Sequence, residues 1–85
     1  MHLDNKKIFK NPNQKDIKII LELFNSKKIT DAKKELDKQI IIYPKSPILY
    51  NIQGAILTTE EKLNEALKSY KRAIKINPNY AQAYN

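Results

Sequence analysis

The sequence predicts an all-α chain, and three observations predict it. Its 85 residues include one glycine, four prolines, no cysteine and no tryptophan, a composition suited to helices and poor in turn residues. Apolar residues recur at helical spacing in four stretches separated by Asn, Ser and Pro. The chain also repeats itself. Residues 13–46 align with 47–80 without a gap, pairing Leu23 with Leu57, Lys28 with Lys62, Ala32 with Ala66, Lys34 with Lys68, Ile40 with Ile74, Ile42 with Ile76 and Pro44 with Pro78. Most of these are packing or turn positions, where a repeated unit is most constrained.

Residues 1–12 read as a basic lead-in, carrying Lys6, Lys7 and Lys10, with Ile8 and Phe9 as anchors onto the first helix. The helical period begins at Asn13. Ile17, Ile20, Leu21 and Phe24 fall at i, i+3, i+4 and i+7, with Ile19 and Leu23 as an adjacent stripe, so this helix needs cover on more than one side. Asn25-Ser26-Lys27-Lys28 breaks the pattern. A second helix is expected from Thr30 as N-cap, with Asp31 in the first turn and an apolar set of Ala32, Leu36, Ile40 and Ile42. Tyr43-Pro44 ends it, because proline cannot continue a helix and biases the residue before it towards extended backbone.

Ser46-Pro47 is a start signal, an N-cap followed by proline at the first helical position. The third helix is expected over 47 to 59 or 60. The fourth is expected over 64–76, with Asn64 as cap and Asn77-Pro78-Asn79 as stop. In Ala81-Gln82-Ala83-Tyr84-Asn85, Tyr84 and Asn85 follow Tyr50 and Asn51 by the same 34-residue step, so another frame is expected to open there. The sequence thus reads as an N-terminal piece of a longer protein.

Within 47–80, Tyr50, Gly54, Leu57, Ala66, Tyr70, Ala73 and Pro78 stand at fixed offsets, and Leu23, Ala32, Leu36 and Pro44 fill four of the same slots one frame earlier. This pattern resembles the tetratricopeptide repeat, TPR. The resemblance implies a right-handed solenoid of antiparallel helix hairpins. Its parts would be a lead-in over 1–12, a degenerate first repeat over 13–46, a second over 47–80 and the start of a truncated third over 81–85. The first repeat departs from the pattern, with Asp16 for a large aromatic, Ile20 for a small residue and Gln39 for an alanine, as a terminal capping repeat would. Gly54 is then expected to allow close approach of the paired helix at Ala66. Tyr50 and Tyr70 are expected to fill gaps between repeats, and Ala73 to meet Tyr84 across the next junction.

The resemblance also implies where a ligand goes, since the first helix of each repeat lines a concave groove. Carried over, that groove takes Ile17, Leu21 and Phe24 from the first repeat, Asn51, Ala55 and Thr58 from the second, and Asn85 from the third. Asn51 and Asn85 would bind the backbone of an extended peptide through their amides, or else stand as solvated amides. The alternative cover for Ile17, Leu21 and Phe24 is the lead-in segment or a second copy of the chain. The clamp by which related repeats hold a chaperone's C-terminal carboxylate is missing, because Ile17, Leu21 and Ile52 occupy its positions. The expected function is a protein or peptide interaction scaffold. One alternative is a substrate-recruiting arm of a larger enzyme, such as the bacterial glycosyltransferases or sulfotransferases whose repeats resemble residues 77–85. A further one is a homo-oligomer formed through an apolar edge at Leu57, Tyr70 and Ala73.

Catalysis is not expected of these residues. The lone histidine, His2, has no partner in the pattern, and Glu60, Glu61 and Glu65 have neither His nor Cys beside them in sequence. No cofactor or metal is called for, and one glycine cannot build a phosphate-cradling loop. The net charge is +7, and Lys27, Lys28, Lys33, Lys34 and Lys38 lie around the second helix and Lys68, Lys71, Arg72 and Lys75 around the fourth. With the aromatics read as core, that charge is a solvated surface and nucleic acid is not the expected partner. No apolar run reaches the roughly 20 residues of a membrane span, and a cytoplasmic setting is expected. Because solenoid repeats draw stability from neighbours, two alone are expected to be marginal.

Overall fold

A computed structural model describes residues 11–78. Four helices follow in order: α1 (Gln14–Asn25), α2 (Ile29–Ile42), α3 (Pro47–Thr59) and α4 (Leu63–Ile76). The chain divides into two compact units between Ser46 and Pro47. Each unit holds one helix hairpin, α1 with α2 and α3 with α4. The expected start of a third repeat, with Tyr84 and Asn85, lies outside the described residues, as do Ile8 and Phe9. The architecture described is therefore two TPR-like hairpins.

The first unit is closed by polar contacts at its ends. Asn13 caps α1, its Oδ1 accepting from the Asp16 N–H at 2.9 Å, and Asp16 adds a negative charge in the first turn. Beside it, the buried Ser46 hydroxyl donates to the Asn11 side-chain oxygen, joining the segment before α1 to the end of the unit.

Both hairpins turn in the same way, and the turn corrects two expected caps. Lys27 and Glu61, equivalent in the repeat frame, hold φ of 64° and 63°. The next amide in each, Lys28 or Lys62, donates back to Leu23 or Leu57 at 2.9 Å, closing the preceding helix. The chain then enters the second helix at once. α2 starts at Ile29 after Lys28 and α4 at Leu63 after Lys62, and neither lysine makes a side-chain cap bond. Thr30 and Asn64 are already inside their helices and are not the caps expected. A left-handed conformation normally favours glycine, because a Cβ there crowds the backbone. Lys27→Gly is accordingly expected to raise stability by up to about 1 kcal/mol. Chemical denaturation followed by circular dichroism checks this, and an unchanged or lower midpoint counts against a strained turn.

The second hairpin is the more closely paired of the two. A Cβ built on Gly54 would lie 2.6 Å from Cε1 of Tyr70 and 2.7 Å from its Cζ. The tyrosine ring, rather than Ala66, is what the glycine admits. Ala66 is itself buried on α4 one turn earlier. Ser69 donates to Gln53 Oε1 at 2.9 Å, and the Arg72 guanidinium stands 5.0 Å from the centre of the Tyr50 ring. Tyr50 and Tyr70 thus both have partners within their own hairpin. In the first hairpin the slots of Gly54 and Tyr70 hold Ile20 and Leu36, 0% and 2% exposed. A branched side chain at 20 sets the helices further apart than a bare backbone does at 54.

One apolar expectation needs correction. Ile42 is 58% exposed, and the buried stripe of α2 is Ala32, Leu36 and Gln39 instead. At 100° per residue Ile42 points about 80° away from Ala32, which explains its exposure. At the edge expected from Leu57, Tyr70 and Ala73, Ala73 is fully buried and the other two are half-buried.

Candidate functional site

Ile17, Leu21 and Phe24 form an i, i+4, i+7 stripe along α1. Ile17 and Phe24 are half-buried and Leu21 is 38% exposed, so the stripe offers apolar surface to solvent. On α3, Asn51, Ala55 and Thr58 repeat the same register one frame later. The first two are half-buried and Thr58 is exposed. Asn85 lies outside the described residues. None of the six described members is charged, so recognition along either stripe rests on shape, apolar contact and neutral hydrogen bonds.

The polar members are in different states. Asn51 Oδ1 is buried and has no hydrogen-bond partner in the protein. A buried acceptor left unmatched costs about 1–3 kcal/mol. Thr58 uses its hydroxyl hydrogen on the Gly54 carbonyl at 2.8 Å, and Thr59 likewise on the Ala55 carbonyl at 3.1 Å. With their hydrogens engaged by the helix, both hydroxyls face outward as acceptors. Beside the α1 stripe, Lys18 and Glu22 form an exposed ion pair at 4.0 Å, too weak to fix a ligand's position.

Three features escaped the sequence reading. Gln39 is buried with its Oε1 unpartnered. Ile41 is 81% exposed at the end of α2. On α4, Leu63 and Leu67 are exposed one turn apart, and the signal for them was their i, i+4 spacing alone. Among the described residues, no cluster of three or more His, Cys, Asp or Glu could hold a metal ion, and no helix is long and apolar enough to cross a membrane.

A family model described as TPR repeat matches residues 54–85. That span takes in the latter part of α3 and all of α4. Comparison with curated proteins and with solved structures gave no match. With that match and two helix hairpins of the same kind, the chain is TPR-like.

Proposed function

We propose that this chain is an interaction module that takes a protein or peptide segment along the first helix of a hairpin, the helix that lines the concave groove in TPR repeats. The observation that carries this reading is the α1 stripe. Ile17, Leu21 and Phe24 lie in one row, and Leu21 is 38% exposed at the edge of the face that buries Ile20 completely. Apolar surface held in a fixed row on a rigid helix offers anchor positions at i, i+4 and i+7 to an apolar segment. Taken by itself, the first helix of the second unit offers acceptors at Thr58 and at the unmatched carbonyl of Asn51, which a donor from a ligand backbone would satisfy once the side chain rotates outward.

The test is selection of a displayed peptide library on the intact chain. Selected peptides should share apolar anchors, and Leu21→Asp should weaken their binding about tenfold or more while leaving the helical signal unchanged. Peptides that bind Leu21→Asp as well as the original chain would remove α1 as the contact.

A further inference from the structure

The outer side of α4 combines two features that the α1 stripe lacks. Leu63 and Leu67 are 64% and 52% exposed, spaced i, i+4. On the solvent side of that pair lie Lys68, Lys71 and Lys75, all exposed and none in an ion pair. Glu65 is the helix's one carboxylate. The corresponding face of α2 is different. There Lys33 takes the slot of Leu67, Asp37 that of Lys71 and Ile41 that of Lys75, and Lys38 is paired with Glu35 at 3.3 Å. The repeat frame therefore does not impose this arrangement, which belongs to α4 alone among the described helices.

From this juxtaposition we infer that the outer face of α4 docks an acidic protein segment, one that presents two apolar side chains a helical turn apart. The leucines supply the area to be buried, and the three unpaired lysines supply the charge that an acidic partner completes. A second copy of this chain is a poor occupant, because the same lysine row would face its own kind on a protein of net charge +7. Nucleic acid would satisfy the lysines and leave the leucines against a polar backbone. The α4 tyrosine that could stack on a base, Tyr70, is instead held against Gly54. An anionic membrane would receive only two apolar side chains from a helix already fixed to α3 by Tyr70, Ser69 and Arg72. That same fixation leaves the face formed before a partner arrives, which lowers the ordering cost of binding.

The probe is a synthetic helical peptide of glutamate, alanine and two leucines one turn apart, titrated against the full chain by fluorescence anisotropy. Binding is expected, weakening as salt rises. Leu67→Ser should reduce it about tenfold or more, and Lys68→Glu with Lys71→Glu should do so at low salt. All three substitutions are at exposed positions, so unchanged circular dichroism certifies the fold, and Leu21→Asp should leave this binding intact. Equal affinity for a scrambled peptide of the same composition would overturn the inference. So would stronger binding to phosphatidylserine vesicles or to a single-stranded oligonucleotide. The same holds for light scattering that shows a dimer dissociated by Leu67→Ser.

Discussion

Gly54→Ile disrupts the second hairpin, and Tyr70→Leu added to it restores most of the loss: this is the largest effect expected of a paired substitution in the chain. Even a methyl group at 54 would stand 2.6 Å from the tyrosine ring, inside any permitted approach. Overpacking of this kind costs about 1–3 kcal/mol or more. Working against it, loss of glycine from a helix interior is worth about 1 kcal/mol, so Gly54→Ala should show the smaller net loss and Gly54→Ile the larger. The double variant Gly54→Ile/Tyr70→Leu installs the pair that the first hairpin already buries at Ile20 and Leu36. Urea denaturation of the single and double variants measures the coupling. Simple addition of the two effects would show that glycine and ring do not share one space.

Leu36→Ala is expected to cost about 2–5 kcal/mol, since the side chain is 2% exposed and its removal leaves a cavity in the first hairpin. For 85 residues, total stability is on the order of 4–13 kcal/mol. One substitution could therefore remove a large share of it. Ile42→Ala provides the control. That residue is 58% exposed, and its truncation should stay within about 0.5 kcal/mol. The two denaturation midpoints together test the corrected α2 stripe; equal losses at the two positions would undo it.

Much of the helix plan could be read from the sequence, because it rests on periodicity and proline. The 3.6-residue stripes and the Pro44 and Pro78 stops place every helix to within about two residues. What escaped was chemistry without a residue-type signature. Lys27 and Glu61 carry the left-handed turn with no glycine to announce it, so Thr30 and Asn64 looked like caps that the backbone had already passed. A lone mid-helix glycine at 54 signals close approach, but which side chain approaches depends on packing in three dimensions. The stripes at Ile17, Leu21, Phe24 and at Asn51, Ala55, Thr58 were legible as register. Whether Asn51 keeps its carbonyl in water was not, since burial of one atom depends on residues remote in sequence.

The division of the chain into two units bears on how a ligand would act at α1. Proteins open by parts, and a compact unit can open on its own. The stripe at Ile17, Leu21 and Phe24 belongs to one such part. A segment that binds only the closed form would hold it closed by mass action, in proportion to its concentration over its dissociation constant. Occupancy of α1 and protection of the first hairpin from proteolysis would then rise together, so that the partner's abundance sets the lifetime of the module that recognises it.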